Sequence, residues 1–283
     1  MHQVKTSAPG KLILLGEHAV VYGFPCLVTA IDKRITVTTT EKIGKESVFV
    51  KTTRQLFEQQ YGQVKAGFIT NGFDSRYGLG SSAAVTVATA KALFKLKKIR
   101  VSRKALFDFC YQVVQQTQGL GSGFDIAAAI WGGVVYFVTG GQVIERLTVK
   151  ELPLVVGYSG IKANTVTMVK KVAKLTQKQS MFIKIGQLVD EAKKYLMAQD
   201  WENLGKAMNQ NQIFLKQLGV SNPQLDRLIQ TARMAGAWGA KLSGAGGGDC
   251  MIALHSDGVQ GKLKIEKAIK AAGGEVIRVK LSL

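Results

Sequence analysis

The sequence predicts a mixed α/β (α+β) protein built in two halves, and three observations carry that expectation. The 283 residues are 46% hydrophobic, enough for a sizeable core and too apolar for wholesale disorder. Runs rich in Val, Ile and Thr, such as "CLVTAIDKRITVTTTEK" (26–42), read as strands, whereas the Ala, Val and Leu pattern of 82–97 reads as a buried helix. Near residue 150 a hairpin ends and a new strand begins, which divides the chain into 1–150 and 151–283. No Pro- or Ser-rich linker marks the break, so the halves are expected to share an interface.

In chain order, "KLILLGEHAVVYG" (11–23) starts as a strand and turns at a glycine. The 26–42 strand follows, and "SVFVKTT" (47–53) reads as another short one. Residues 55–75 look irregular, with "NGFD" as turn chemistry. After the 82–97 helix, Ser102 caps a second helix, "RKALFDFCYQVVQQTQ". "GLGSGFDIAAAIWGG" (119–133) is a glycine loop, a short helix and a glycine stop, and "VVYFVTGGQVIERLTV" is a hairpin around Gly140 and Gly141. The second half opens on the buried strand "LPLVVGYSG"; Asn164 then caps "TVTMVKKVAKL". Helical patterns cover about 180–198 and 201–218, and "SNPQLDRLIQTARMAG" carries Asn222 as cap with Pro223 at the first helical position. "AKLSGAGGGDCMIAL" reads as a loop into a strand, followed by a helix over about 258–272 and a last strand, "EVIRVKLSL".

Thirty-eight Lys and Arg against 19 Asp and Glu give a net charge of +19, which suits anionic ligands or surfaces. The cations are scattered, and "KLKKIRVSRK" (95–104) is the nearest approach to a run. Cys26, Cys110 and Cys250 form no CxxC and read as reduced thiols of a cytoplasmic protein. His2, His18 and His255 have no metal-ligand spacing, and neither a signal peptide nor a membrane span is expected.

Three glycine-rich loops carry the chemistry: 78–82, 119–123 and 244–248. Glycine lets backbone N–H groups approach a ligand, and a helix N-terminus favours an anion. "GLGSSAA" before an Ala-rich helix fits that role, and equally fits a serine-capped helix after a turn. It lacks the lysine of a Walker A loop and the glycine spacing of a dinucleotide fingerprint. Taken alone, Asp125 reads as a helix cap and Lys11 as a solvated charge at a strand start.

"SAPGKLILLGEHAVVYG", "GLGSSAA" and "KLSGAGGGDCMIAL" together resemble the three ordered motifs of the GHMP small-molecule kinases, across the whole chain. That resemblance implies a two-domain GHMP kinase fold: an N-terminal ribosomal-protein-like α/β domain and a C-terminal ferredoxin-like α/β domain with extra helices. It implies ATP-dependent phosphoryl transfer to a small alcohol, with ATP and Mg2+ as cofactors. ATP phosphates would lie on Gly78, Leu79, Gly80, Ser81, Ser82 and Ala83, with Gly244 and Gly246 nearby and Ser82 touching the metal. Asp125 matches the family's proposed catalytic base, and Lys11 the lysine thought to pair with it. "GEHAVVYG" and "NTVTMV" are most similar to the mevalonate kinases, which makes Glu17, His18 and Thr165 substrate-pocket candidates and the mevalonate 5-hydroxyl the expected acceptor.

The chain departs from that pattern twice. Where mevalonate kinases carry a magnesium-binding Glu before the base, it reads "VVQQTQ", with Val114 or Gln115 in the place. "GSGFDIAAA" and "GAGGGDC" lean toward phosphomevalonate kinases, whose substrate would call on cations such as Lys162, Lys170 or Lys171. An RNA-binding protein and a catalytically silent nucleotide sensor are alternatives of other classes. The missing aromatic-basic interleaving weighs against the first, and the presence of both Lys11 and Asp125 against the second. The expected partners are therefore ATP and mevalonate or phosphomevalonate, without nucleic acid or membrane, and a homodimer is left open.

Overall fold

The structure is a computed structural model, and it describes residues 3–42, 44–119, 121–176, 178–256 and 258–283. His2 and Leu120 of the candidate motifs lie outside the described residues. Two sheets organise the chain. The first runs β1 (Lys5–Leu15), β2 (Pro25–Thr40), β4 (Val134–Val138), β5 (Val143–Leu147), with β3 (Gly67–Asn71) also paired to β2. The second runs β7 (Ala237–Ser243), β8 (Cys250–His255), β6 (Leu154–Tyr158), β9 (Glu275–Ile277), and all its pairings are antiparallel. This strand order, with helices between β6 and β7 and between β8 and β9, is the split βαβ arrangement of ferredoxin-like domains.

Helices cover the sheets through the apolar faces that their sequences provide. Against the first sheet lie α2 (Ser81–Leu96) and α4 (Phe124–Trp131), and α1 (Val48–Tyr61) and α3 (Arg103–Gln118) pack on these helices and on each other. The second half contributes α5 (Thr165–Ala173), α6 (Lys178–Ala198), α7 (Trp201–Gln217), α8 (Pro223–Met234) and α9 (Gly258–Ala271). α2 is buried on nearly every side because Ala, Thr and Val let it lie close to β1 and β2. Its Thr86 and Thr89 satisfy their hydroxyls on the helix's own carbonyls, at 2.9 and 2.7 Å.

Four expectations are corrected. "SVFVKTT" is the start of α1 and not a strand: Ser47 accepts a hydrogen bond from Val50 N at 3.4 Å, and Val50, Thr53, Leu56 and Phe57 bury one helical face. Capping and a 3.6-residue apolar stripe outweigh the strand propensity of the two valines. Residues 55–75 accordingly hold the rest of α1 and strand β3. "AKLS" belongs to strand β7, so the glycine loop joins two antiparallel strands.

"EVIRVKLSL" is strand only over Glu275–Ile277; its remainder crosses back to the first sheet. Leu281 bridges Ile31, Ser282 N donates to Ala30 O at 3.0 Å, and Gly133 N donates to Ser282 O at 2.7 Å. The tail fills the gap along β2 between β4 and β3, so the C-terminal residues stitch the two halves together.

A very tight backbone approach lies between α7 and β7. A Cβ on Gly239 would stand 2.1 Å from Gly205 O, and one on Gly205 would stand 2.6 Å from the carbonyl carbon of Trp238. Neither glycine has a left-handed φ, so the requirement is purely steric. Gly239→Ala is expected to cost about 1–3 kcal/mol by forcing helix and strand apart. Urea unfolding measures it, and a change indistinguishable from zero would show that α7 rides freely on the sheet.

Candidate active site

The site begins with two helices that lack a side-chain cap that five others have. α1, α3, α5, α7 and α8 each receive a side-chain cap, from Ser47, Ser102, Asn164, Asp200 and Asn222. α2 and α4 begin instead at Gly80 and Gly123, both left-handed (φ 78° and 93°) and both without a capping side chain. The first-turn N–H groups of α2 are thus left for an external anion, whereas at α4 the Asp125 carboxylate already takes up Ile126 N.

Lys11 connects the two helices. It lies on β1, is 8% exposed, and donates from Nζ to Gly78 O at 3.2 Å. Its ammonium also stands 5.6 Å from the ring centre of Phe124, the first residue of α4. The loop before α2 is fastened to this strand: Lys11 N donates to Leu79 O at 2.9 Å, and a Cβ on Gly80 would strike the Lys11 stem at 2.9 Å. Only glycine suits position 80, for its backbone angle and for that contact.

Asp125 sits in the first turn of α4 and accepts from Ile126 N at 3.1 Å. Burial raises its pKa above the ordinary 3.8, and the charge of Lys11 pulls it back down. The side chain nevertheless keeps a partly exposed edge, as a group that must meet a ligand requires. The Lys11 charge acts through space: the lysine's direct hydrogen bond is to Gly78 O, and no ion pair joins it to Asp125. Beneath them Cys26 is fully buried, and burial pushes its thiol well up, so it stays neutral.

The third glycine loop is docked onto the first motif. Ser243 Oγ donates to Ile13 O at 3.0 Å and accepts from Ile13 N at 3.1 Å, as a paired strand residue would. His18, held at φ 61°, places Nε2 2.9 Å from Ala245 O, which requires a proton on that nitrogen. Burial lowers the His18 pKa, so the ring is neutral near pH 7. Gly244 and Gly246 are thereby held beside the end of β1. Thr165 is exposed at the start of α5, whose Met168 packs on Gly247.

Glu17 has a different duty from the substrate contact expected of it. It is 2% exposed, ion-paired with the fully buried Lys241 of β7, and accepts from Asn211 Nδ2 of α7 at 2.9 Å. Lys241 also donates to Leu242 O at 2.5 Å. Both carboxylate oxygens are committed inside the seam between the halves, so none faces a ligand. Sequence reasoning did not find Lys241 or Asn211, because a lone Lys in a strand and a lone Asn in a helix carry no pattern.

Among the described residues, no group of three or more His, Cys, Asp or Glu could hold a metal ion. The residues fit a cation that arrives with its own oxygen ligands: Ser82 at the α2 N-terminus offers a hydroxyl, and a nucleotide's phosphates and water would supply the rest. Gln115 donates from Nε2 to Gly121 O at 2.9 Å, and Tyr111 OH donates to the same carbonyl at 3.0 Å, so the position of the missing Glu braces the Asp125 loop.

Residues 48–133 match the family described as GHMP kinases N terminal domain, and residues 192–273 match GHMP kinases C terminal. The chain belongs to the GHMP kinases. It is 35% identical to the mevalonate kinase of Pyrococcus abyssi, over 99% of this chain and 96% of that protein. Among solved structures, mevalonate kinase of L. major in complex with R-mevalonate aligns with a TM-score of 0.85 at 26% identity, covering 98% of this chain and 95% of that one. Phosphomevalonate kinase of Streptococcus pneumoniae, in complex with phosphomevalonate and AMPPNP, shares the fold end to end, with a TM-score of 0.88 at 20% identity and 100% coverage of both chains. No helix among the described residues is long and apolar enough to cross a membrane.

Removing one partner of the seam pair strands the other charge in the interior. Lys241→Met is expected to cost about 3–5 kcal/mol, and the double variant Glu17→Gln/Lys241→Met to recover most of it. Urea titrations of the three proteins make the comparison. A single-variant cost below about 1 kcal/mol would mean that water reaches the pair.

Proposed function

We propose that this protein is an ATP-dependent mevalonate kinase that transfers the γ-phosphoryl group to the 5-hydroxyl of mevalonate. The observation that carries the reading is the pair of uncapped helix N-termini, α2 and α4, facing one buried lysine with a carboxylate in the first turn of α4. Phosphoryl transfer asks for this combination: donors for the phosphates, a cation for developing charge, and a base for the alcohol proton. The α2 amides from Ser81 to Ala83 bind the phosphates; Ser82 contributes an oxygen to Mg2+, which neutralises phosphate charge when bound. Asp125 accepts the alcohol proton, and Lys11 keeps that carboxylate ionised and favours the emerging alkoxide. His18 shapes the acceptor pocket from the seam, and Thr165 borders it. We place the domain boundary near residue 150, with the tail after Ile277 assigned to the first half. ATP, Mg2+ and mevalonate are thus the proposed ligands.

The second reading is a phosphomevalonate kinase, favoured by Asp249 in the glycine loop and by the shared fold. Its phosphorylated acceptor would need free cations. Two of the named lysines are engaged: Lys162 pairs with Asp249 at 3.1 Å, and Lys171 donates to Gly219 O at 2.5 Å. Relatives above 30% identity over nearly the whole chain carry the name mevalonate kinase. Mevalonate is therefore the better-supported acceptor.

A coupled ADP-release assay on mevalonate and 5-phosphomevalonate side by side decides the acceptor, and release with neither would end the kinase reading. Asp125→Asn should lower kcat by about 100-fold or more, as loss of a general base does.

The direction of the Asp125 pKa sets a pH signature. Because the folded value lies above 3.8, the base loses its charge at a higher pH than a free aspartate, and the acid limb of kcat should move up with it. Lys11→Met removes the opposing charge and should move the limb further upward, read on the residual activity. A limb that stays in place would remove Lys11 from the ionisation of the base.

A further inference from the structure

The segment just before the phosphate loop is gripped from the opposite half of the molecule. Tyr77 OH donates to Glu275 Oε1 of β9 at 2.6 Å, and Arg76 Nη2 donates to Glu275 Oε2 at 3.3 Å. The Tyr77 ring meets Tyr158 of β6 edge-on at 5.2 Å, and Cys250 Sγ of β8 donates to Tyr77 O at 3.1 Å. One residue further on, a Cβ on Gly78 would stand 2.2 Å from the Asp249 carboxylate, so that side chain lies directly against the loop backbone. Asp249 is itself held, by Ala163 N at 3.0 Å and Lys162 Nζ at 3.1 Å. Every one of these partners belongs to the second half of the chain, whereas the helix that the loop feeds belongs to the first.

We propose that Tyr77 and Glu275 form a clasp that positions the nucleotide loop 78–83 from the opposite half, making them positioning residues for nucleotide binding that touch no reacting atom. The proposal rests on reading 78–83 as the nucleotide loop. The physical reason is that glycines 78 and 80 both adopt left-handed angles, which the unfolded chain leaves readily. A loop of that kind keeps its amides aimed only if both ends are fixed. Its far end is fixed by Lys11 and α2, and its near end by the clasp. The clasp lies on the surface, with the Arg76 and Glu275 side chains 52% and 47% exposed. It therefore adds little to overall stability, and its effect falls on the one loop it touches.

Tyr77→Phe removes only the hydroxyl and keeps the ring on Tyr158; Glu275→Gln keeps the size of the acceptor and removes its charge. The full-length wild type, both single variants and the double variant are compared in two measurements. One is calorimetric binding of ADP with Mg2+. The other is steady-state kinetics with ATP and mevalonate varied in turn. Each single variant should raise the ADP Kd and the ATP KM by about fivefold, the loss expected for one hydrogen bond to a charged group at a surface. The double variant should add little to either single, because each single already breaks the Tyr77–Glu275 bond, and what it adds is the separate Arg76 contact of the other residue, to Tyr77 OH or to Glu275. The mevalonate KM and the melting temperature should stay as in the wild type. Unchanged nucleotide constants in both singles overturn the clasp, as does a parallel rise of both KM values with a fall in melting temperature. If the wild type binds ADP but leaves mevalonate untouched, the acceptor proposal falls and the Kd comparison still decides the clasp. If it binds no ADP, the reading of the loop fails and the clasp fails with it.

Discussion

The Lys241–Glu17 pair is the interaction on which the arrangement of this protein depends. Both groups are out of water, and an isolated buried charge would be prohibitive. They are tolerated because each has further partners, Leu242 O for the lysine and Asn211 for the carboxylate. A pair of this kind contributes little to net stability, and here it holds β7 and α7 in register with the turn after β1. That register brings Ser243 onto Ile13 and His18 onto Ala245, so the third glycine loop sits at the end of β1. Asn211 Oδ1 has no partner and is buried, a residual cost of the same seam.

Fixing β1 in this way fixes the chemistry, because β1 also carries Lys11. The lysine's stem packs on Gly80 and its ammonium lies near both helix N-termini. One strand thus sets the spacing between the α2 N-terminal amides and Asp125. The scattered +19 charge contributes at longer range: a basic protein draws polyphosphate substrates toward it without any cation needing to touch them.

The sequence disclosed most where a local rule has one physical cause. Ser102, Asn164 and Asn222 marked capped helix N-termini, while the glycines before the helices at 82 and 124 marked loop-to-helix junctions and left open whether a side chain caps them. It misled where propensity and cap disagreed, as at Val48 and Val50, and where one element ended inside an apparent strand, as at Ile277. Glu17 was legible as a motif residue but not in its role, since its partners lie 194 and 224 residues away. Contacts of that separation leave no trace in spacing. The clasp on Tyr77 was hidden for the same reason, its acceptor being 198 residues away.

The left-handed Asp249 shows why the glycine loop is not made of glycine throughout. Its φ of 58° is unfavourable for most side chains, and Asp is among the few that adopt it. In return its carboxylate gathers Ala163 N and Lys162 and presses on Gly78, while its backbone N donates to Ile161 O at 2.7 Å. A glycine there would relieve the backbone and lose a side chain that touches both the approach to α5 and the loop before α2. Lys162, tied to that carboxylate, is then a poor candidate for an acceptor's phosphate. The residue that makes the loop look like a phosphomevalonate kinase is therefore the one that withdraws a cation such a substrate would need.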